Sequence, residues 1–586
     1  MSDYRPPVAD LDFVLEHIVR YDEIAALPGF EHADLETVED LLAAAGEFVA
    51  EAVAPVDRAG DVEGAVWHPD HTVTVPSAYK PAYEEFVKAG WPSIPFPEEF
   101  GGGGFPWTIG LAVQEMLTSA SMGFSLAPLL TQGAIDALLH YGDDEQKALY
   151  LPRMVSGEWT GTMNLTEPQA GSDVGALTTR AVPNDDGTYA ITGQKIFISF
   201  GEHDLSDQIV HLVLARTPDA PAGTAGISCF IVPKFLLDAN GEAGERNGVR
   251  ALSIEHKMGI HGSPTCVMEY DGATGYLIGE LNKGMRIMFV MMNNARLSVG
   301  MEGLAIGERA YQKALAYATE RVQGTAVGGT ADAPIIDHPD VRRMLMTQKA
   351  HLAALRCLVY FNAGQMDRAS HHPDEAVRTR ANEIVGILTP ICKGFGTDLG
   401  VELSSMALQV FGGLGFIEET GVAQHYRDIR IAPIYEGTNG IQAADLVGRK
   451  LPVRGGASVL ELLDQIGAID AELAAAGEAF ASIRRSLAEQ LATLRSATEW
   501  MVRSGAQDPD AALGGSSPYL RIWGLVLGAW FLAQSALAAR DTDVAETKLV
   551  LARFHAEQLL PAAAGLLPAA TGGVADLFAL DAAQLA

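Results

Sequence analysis

The sequence has few cysteines and few basic residues, and both shortages exclude classes of protein. The four cysteines (Cys229, Cys266, Cys357 and Cys392) are far apart in a chain of 586 residues, with no CxxC pair and no Cys/His cluster at metal-ligand spacing. They are expected to be small core residues, with no disulfide framework and no metal site. Lys and Arg number 41 against 74 Asp and Glu, a formal net charge of −33. Such a surface repels phosphate backbones and anionic lipid, so nucleic acid is not an expected partner.

Targeting segments and long uncharged runs are also scarce. The N-terminal residues MSDYRPPVADLDFVLEH carry acids early and no apolar centre, so no signal peptide is expected. The uncharged run from Ile522 to Ala539 contains Gln534 and Ser535 inside a longer helical pattern. This favours a buried helix over a membrane span. The expected location is therefore cytoplasmic, without stable membrane insertion.

Hydrophobic residues make up 48% of the chain and charged residues 20%, which is typical of a soluble globular protein. Helical patterns give way to short β-branched runs punctuated by turn residues, and then return. The expected fold is mainly α with a central β domain. The expected domains are an N-terminal extension (1–40), an N-terminal helical domain (41–160), a small antiparallel β-barrel-like domain (161–280), a C-terminal helix bundle (281–450) and a C-terminal helical extension (451–586).

Two apolar stripes at helical spacing predict the bundle. Short loops between such long stripes indicate antiparallel packing. Pro390 lies within one stripe and is a candidate site for a kink. The first stripe comprises Ile384, Ile387, Leu388, Ile391, Phe395 and Leu399, and the second Leu345, Leu352, Leu355 and Val359.

Three segments contain residues suited to binding or chemistry. NLTEPQAGSDVG, at 164–175, can leave backbone N–H groups free for a phosphate or a flat ring, although an ordinary connection has the same composition. QVFGGLGF, at 409–416, lacks GxGxxG spacing, and a glycine helix cap explains it equally well. In the segment 427–442, Glu436 lies between Tyr435 and Gly437 among apolar residues. Apolar surroundings disfavour the ionised carboxylate and make it a stronger base, but a glutamate before a glycine is usually a loop residue.

In this order and at these separations, the segments resemble the acyl-CoA dehydrogenase family. LTEPQAGSD is similar to the flavin-loop signature of that family, and RDIRIAPIYEGTNGIQ to the segment with its catalytic glutamate. GQKIFIS, HKMGIHGSPT, MMNNARLSVGMEGLAIGERAY and QVFGGLGF align as well. The resemblance covers roughly residues 40–450. The extensions on either side resemble the long subgroup, which includes 3-methylmercaptopropionyl-CoA dehydrogenases and broad-range fatty acyl-CoA dehydrogenases.

The resemblance implies FAD as the cofactor and a homodimer in which each FAD also contacts the partner subunit. Thr166 would hydrogen-bond the flavin ring and Ser172 the pyrophosphate. Phe197 and Ser199 stand where many members have Trp and Thr against the flavin. The implied substrate contacts are Arg296 and Gly437. The implied cofactor contacts are Leu165, Thr166, Gly171, Ser172, Phe197, Ser199, Thr438 and Gly440, together with Arg321, Gln409, Gly412 and Gly413 of the partner subunit.

The implied reaction is α,β-dehydrogenation of an acyl-CoA thioester to the trans-2-enoyl-CoA. Glu436 would remove the pro-R α-proton while the β-hydride passes to flavin N5. The Glu436 backbone N–H and the flavin 2′-hydroxyl would stabilise the enolate-like charge. Electrons would then pass to an electron-transfer flavoprotein. If Glu436 is not the base, the next candidates are Glu302, Glu418 and Glu419.

Three rival functions share the implied fold. An acyl-CoA oxidase would let O₂ reach the reduced flavin, and the length of the chain fits one. A DNA-binding flavoprotein would need a basic C-terminal region, whereas residues 451–586 hold 9 basic and 15 acidic residues. A catalytically silent FAD-binding scaffold is disfavoured because Glu436 and Gly437 are both present.

Overall fold

A computed structural model describes residues 3–329 and 331–586, except for the side chain of Asn293. The described residues form two compact units, each assembled from separated stretches of the chain. Unit one contains residues 3–6, Ala44–Phe105 and Met116–Ser298, and unit two contains Pro7–Ala43, Pro106–Glu115 and Val299–Ala586.

Helices occupy both ends of the chain and strands its middle. The strands are β1 Val66–Trp67, β2 Val73–Thr74, β3 Trp159–Asn164, β4 Arg180–Pro183, β5 Tyr189–Ser199, β6 Gln208–Ala215, β7 Ser228–Pro233, β8 Phe235–Leu237, β9 Ala243–Arg246, β10 Val249–Ile254 and β11 Thr265–Leu277. The α-helices are α1 Val8–Val14, α2 Tyr21–Ala25, α3 Leu35–Phe48, α4 Val56–Glu63, α5 Tyr79–Lys88, α6 Trp107–Ala120, α7 Met122–Tyr141, α8 Asp144–Ser156, α9 Gly284–Glu320, α10 Pro339–His371, α11 Glu375–Phe411, α12 Val422–Ile429, α13 Asn439–Asp445, α14 Ala457–Gly467, α15 Asp470–Ala475, α16 Ala481–Gln507, α17 Pro509–Gly514, α18 Ser516–Ala538, α19 Ala545–Phe554, α20 Ala562–Thr571 and α21 Ala582–Leu585.

In unit one, seven of the described strands form a single sheet in the order β3-β6-β7-β11-β5-β4, with β10 also paired to β11. β3 and β6 are parallel, and the other pairs are antiparallel. The central β domain is confirmed. Its two ends, β3 and β4, do not pair with each other, so the sheet is open where a barrel-like closure was expected. The hydrophobic core of this domain includes Val213, Phe230, Met268 and Tyr270, which are buried residues of β6, β7 and β11.

In unit two, α10, α11 and the part of α9 from Val299 onwards form the predicted bundle. α9 and α11 run in the same direction, since Gly300 faces Lys393 and Gly303 faces Gly396. A Cβ added at Gly303 would lie 2.0 Å from the carbonyl oxygen of Gly396, so the two backbones are in contact. α10, which lies between α9 and α11 in the sequence, is antiparallel to α11, since Asn362 faces Thr389 and Leu358 faces Cys392. The predicted apolar stripes on α10 and α11 are buried. α11 continues from Glu375 to Phe411 through Pro390.

Three helices of the described chain are long and apolar enough to cross a membrane. Their most apolar windows are 89%, 78% and 83% buried inside the structure. α18, the helix that contains the uncharged run, is one of them, and its interpretation as a buried helix is confirmed. All four cysteines are free and buried, as predicted. The helices are Met122–Tyr141, Glu375–Phe416 and Ser516–Ala538.

Candidate active site

The loop that follows β3 in unit one is fixed by a buried ion pair. Lys195 donates from Nζ to Oε1 of Glu167 at 2.8 Å and to the carbonyl oxygen of Leu165 at 3.0 Å. Both side chains of the pair are at most 1% exposed. The backbone N–H and the hydroxyl of Thr178 and of Thr179 also donate to Glu167. One carboxylate therefore holds both ends of the loop.

The pKa values of this pair have a clear physical origin. Burial alone would raise the pKa of Glu167, but the charge of Lys195 and the hydrogen bonds lower it to about 2. Burial lowers the pKa of Lys195 to about 8, against the opposing effect of Glu167. Both groups are thus charged at neutral pH, and the loop is held by a complete ion pair.

The predicted flavin-loop residues are accessible. Leu165 and Thr166 are half-buried, whereas Gly171 and Ser172 are exposed. The Thr166 carbonyl accepts a hydrogen bond from the Ile196 N–H at 2.9 Å, which joins the loop to β5. The loop therefore presents its glycine and its hydroxyl groups to solvent while its backbone is tied to the sheet.

Phe197 on β5 is the most unusual of the predicted residues in unit one. Its φ is +60°, in the left-handed region, and its side chain is 60% exposed. A large apolar residue with this backbone conformation costs free energy, and such strain often occurs at functional sites. Ser199, two residues on, ends the strand. Arg296, the predicted substrate residue, is buried on α9.

Glu436, in unit two, lies on the loop between α12 and α13. Its φ is +54° and that of Gly437 is +79°, so two successive residues are left-handed. The Gln442 side-chain amide donates to the carbonyl oxygens of Glu436 at 3.2 Å and of Gly437 at 3.1 Å. These bonds hold the peptide units on either side of the turn. Glu436 is half-buried, and Ile434 and Ile441 beside it are exposed.

Buried polar groups hold the loop on both sides of Glu436. On one side, the Tyr435 hydroxyl donates a short hydrogen bond to Oε2 of Glu302 on α9. On the other, Lys393 of α11 donates to Oδ1 of Asn439 at 2.9 Å. The Asn439 amide in turn donates to Thr397 and Asp398 and to the Gly394 carbonyl. α9 and α11 thus fix the position of Glu436 through its neighbours.

Glu302 is a neutral acid by environment. It is 0% exposed, and its Oε1 has no hydrogen-bond partner within the described residues. Burial raises the pKa of Glu302 to about 8. The charge of Glu436 acts in the same direction, while Tyr435 and Lys393 oppose it. Glu302 as the alternative base stays a prediction, and a carboxyl that is protonated at neutral pH cannot accept a proton there.

The remaining predicted residues of unit two fall into two groups. Gly437 and Thr438 are on the loop of Glu436, and Gly440 is in the first turn of α13, which the Thr438 hydroxyl caps by accepting from the Ile441 N–H at 3.2 Å. The second group lies where the C-terminal ends of α9 and α11 meet. The rings of Tyr317 on α9 and Phe411 on α11 stack there, with their centroids 4.2 Å apart. Arg321, Gln409, Gly412 and Gly413 lie at those ends and are all exposed. Gly412, with φ +60°, terminates α11, so the glycine-cap interpretation is confirmed, and its role in binding stays a prediction.

The sequence did not reveal the groups that position these residues. Lys195 and Glu167 occur in two of the recognised segments, and a lysine within a β-branched run was an available signal. Glu302 and Tyr435 are 133 residues apart, and no local pattern links them.

Comparisons with known proteins agree from residue 36 to residue 581. Four family descriptions match in order: "Acyl-CoA dehydrogenase, N-terminal domain" at 36–158, "Acyl-CoA dehydrogenase, middle domain" at 162–273, "Acyl-CoA dehydrogenase, C-terminal domain" at 282–451 and "Acetyl-CoA dehydrogenase C-terminal like" at 462–581. The last match lies within the predicted C-terminal extension.

Similar proteins cover more than nine-tenths of the chain as well. The chain is 48% identical to 3-methylmercaptopropionyl-CoA dehydrogenase of Ruegeria pomeroyi, over 95% of this chain and 96% of that protein. It is 34% identical to broad-specificity linear acyl-CoA dehydrogenase FadE5 of Mycobacterium tuberculosis, over 96% of each. The crystal structure of an acyl-CoA dehydrogenase from Bacillus anthracis, complexed with FAD, has the same fold with a TM-score of 0.74 and 22% identity, over 93% of this chain and 89% of that one.

Proposed function

Because the chain belongs to the acyl-CoA dehydrogenase family, we propose that it catalyses the FAD-dependent α,β-dehydrogenation of an acyl-CoA thioester, with Glu436 as the base. The observation that carries the proposal is the backbone of Glu436. A non-glycine residue at φ +54°, followed by a glycine at φ +79°, is a strained turn that buried hydrogen bonds hold in place. Strain of this kind is kept where a side chain must be presented in one orientation.

FAD fits the residues present in unit one. Phe197 offers an exposed ring that a flat isoalloxazine can cover. The hydroxyl groups of Thr166, Ser172 and Ser199 have no hydrogen-bond partner among the described residues, so all three are available to a ligand. Exposed glycine at position 171 allows close approach of a pyrophosphate to the backbone. When bound, the flavin supplies the acceptor for the hydride that leaves the β-carbon.

Glu436 performs the proton transfer in this proposal. Its carboxylate accepts the α-proton of the thioester, and its backbone N–H donates to the thioester oxygen on which negative charge develops. The proposed substrate contacts are Arg296 of unit one and Gly437 of unit two. The Tyr435 and Asn439 anchors hold the backbone from which the carboxylate projects, which contributes to rate through orientation.

We further propose a cytoplasmic homodimer that passes its electrons to an electron-transfer flavoprotein. Arg321, Gln409, Gly412 and Gly413 are exposed at the joined ends of α9 and α11, as expected for residues that reach a cofactor in the partner subunit. The guanidinium of Arg321 suits a diphosphate, because its donors form a planar fork. One relative is named for a sulfur-containing acyl-CoA and the other for linear acyl-CoAs. Both classes of acyl group are therefore candidate substrates and should be assayed.

The proposal is tested by anaerobic addition of short, long, branched and sulfur-containing acyl-CoAs to the FAD-loaded protein. Bleaching of the flavin absorbance by at least one of them is expected. FAD-loaded protein that no acyl-CoA bleaches would disprove the function. Hydrogen peroxide formed in proportion to turnover in air would instead identify an acyl-CoA oxidase.

A further inference from the structure

We propose that Glu302 is a positioning residue for this reaction: it remains protonated, holds Tyr435, and so fixes the backbone of Glu436 while leaving Glu436 as the ionised member of the pair. The inference rests on the proposed function in that Glu436 is the base. It assigns a role to a buried group that the dehydrogenation itself does not require.

The geometry of Glu302 leaves it one partner. Its side chain is fully buried on α9, one residue before the glycine at which the backbones of α9 and α11 touch. Oε2 accepts the Tyr435 hydroxyl, and Oε1 is buried without a hydrogen bond in the part of the chain that is described. An ionised carboxylate with one donor would be strongly disfavoured here, whereas a protonated one loses far less on burial.

The two glutamates of this site have opposite environments. Glu302 is enclosed, and Glu436 is half-buried on a loop with exposed isoleucines on either side. When two carboxyl groups interact, the proton stays on the one that is harder to ionise. Glu302 therefore takes the proton, and Glu436 keeps its charge and its ability to act as a base.

Three titratable groups act on Glu302 from the elements packed against it. Tyr435 and Glu436 belong to the loop before α13, and Lys393 belongs to α11. Burial and, less strongly, the charge of Glu436 raise the pKa of Glu302 to about 8, while the Tyr435 hydrogen bond and the charge of Lys393 act to lower it. Above that pH a second negative charge appears beside the thioester, where negative charge also develops in the transition state, and the reaction slows.

The variants Glu302→Gln and Glu302→Leu separate the two roles. Gln remains neutral at every pH and keeps an oxygen that can accept the Tyr435 hydroxyl. Leu removes that acceptor and leaves Tyr435 unheld. Glu489→Gln, which removes an exposed carboxylate from α16, is the matched control.

The experiment measures anaerobic flavin bleaching by one reactive acyl-CoA between pH 6 and pH 10, for the FAD-loaded parent and the three variants. The parent and Glu489→Gln are expected to bleach about tenfold more slowly at pH 9 than at pH 7, since about one molecule in ten keeps a proton with a pKa near 8. Glu302→Gln should lose this alkaline decrease and stay within about threefold of the parent at pH 7. Glu302→Leu should be slower by about tenfold to 100-fold at every pH, because the base is misplaced.

A second measurement needs neither substrate nor cofactor. Denaturant midpoints of the parent and Glu302→Gln are compared at several pH values. The pKa of Glu302 is higher in the folded chain than its ordinary value of 4.5, so the folded parent binds this proton more tightly. Its stability should therefore fall relative to Glu302→Gln as the pH rises from about 4.5 through about 8.

Each outcome decides the matter. An alkaline decrease that persists in Glu302→Gln, or a midpoint difference that is constant with pH, overturns the role of Glu302 while the dehydrogenation stands. A parent that holds FAD and is bleached by no acyl-CoA at any pH disproves the proposed function, and this inference with it.

Discussion

Nζ of Lys195 lies 2.8 Å from Oε1 of Glu167, and neither side chain is more than 1% exposed. The lysine comes from β5 and the glutamate from the loop after β3. The same lysine nitrogen reaches the Leu165 carbonyl, and the next residue on its strand, Ile196, donates to the Thr166 carbonyl. The ion pair therefore determines where the proposed flavin loop stands on the sheet.

Replacing Lys195 with Met should destabilise the protein by about 3–5 kcal/mol, because it leaves the Glu167 carboxylate buried without its cation. FAD should be lost as well, since the loop is released from β5. The double variant Lys195→Met/Glu167→Gln should recover part of the stability, because no charge is then left buried. Denaturant unfolding and the FAD content of the purified protein measure the two effects.

Arg250 and Glu269 provide the control for this prediction. They also join neighbouring strands in unit one, but their side chains are 47% and 32% exposed. Arg250→Met should cost less than about 1 kcal/mol and leave FAD bound. Equal losses in Arg250→Met and Lys195→Met would contradict the assigned role of the buried pair.

Phe197 provides a second prediction, on the cofactor rather than the fold. Phe197→Ser should leave the thermal midpoint of the FAD-free protein almost unchanged, since the side chain is 60% exposed. It should weaken FAD binding about tenfold, the equivalent of about 1.4 kcal/mol of lost stacking. Phe197→Trp should bind FAD more tightly than the parent. Fluorescence titration of the FAD-free protein checks both, and unchanged affinity in Phe197→Ser would show that the ring does not contact the flavin.

The sequence predicted the elements better than it predicted their connections. Hydrophobic spacing identified α10, α11 and the β-branched strands, because an element that buries one face repeats its apolar residues at a regular local spacing. The parallel pairing of β3 with β6 was not predicted. The chain forms β4 and β5 between these two strands, so their relative direction depends on the path of that long connection. The open edge between β3 and β4 has the same cause.

The site divides in a similar way. The resemblance pointed to the loop of Glu436 and to the proposed flavin loop, whose motifs are contiguous in sequence. The ion pair of Lys195 spans 28 residues and the hydrogen bond of Glu302 spans 133, so only the folded chain brings each pair together. The groups that position the site are long-range, and a single sequence carries no local signal for them.

Buried histidines predict acid sensitivity. The rings of His351 and His555 in unit two lie 5.7 Å apart, and neither nitrogen of His555 has a hydrogen-bond partner in the described chain. Burial lowers the pKa of His555 from 6.5 to about 3 and that of His351 to about 4. Unfolding lets both bind a proton below pH 6.5, so the stability they contribute is complete above that pH and is lost as the pH falls.

His555→Leu should remove part of this sensitivity. At pH 5 the parent has lost about 2 kcal/mol to the uptake of a proton by unfolded His555, a loss that the variant does not share. At pH 7.5 the two should differ by less than about 1 kcal/mol, because leucine replaces a neutral ring of similar size without hydrogen bonds. Urea unfolding at the two pH values measures the difference, and parallel losses of stability in both proteins would contradict the prediction.

Replacing Glu436 with Gln tests the base directly. The amide has the same shape, can keep the loop hydrogen bonds to Gln442 at the backbone carbonyls, and cannot accept the α-proton. The variant should therefore fold, bind FAD and bind acyl-CoA, yet bleach at least ~10²–10⁴-fold more slowly than the parent, since the α C–H is a very weak acid. Glu489→Gln is the control, because it removes an exposed carboxylate from α16 and should bleach at the parental rate. If Glu436→Gln bleaches as fast as Glu489→Gln, Glu436 is a loop residue held in an unusual conformation for some other purpose, and the base must be sought elsewhere.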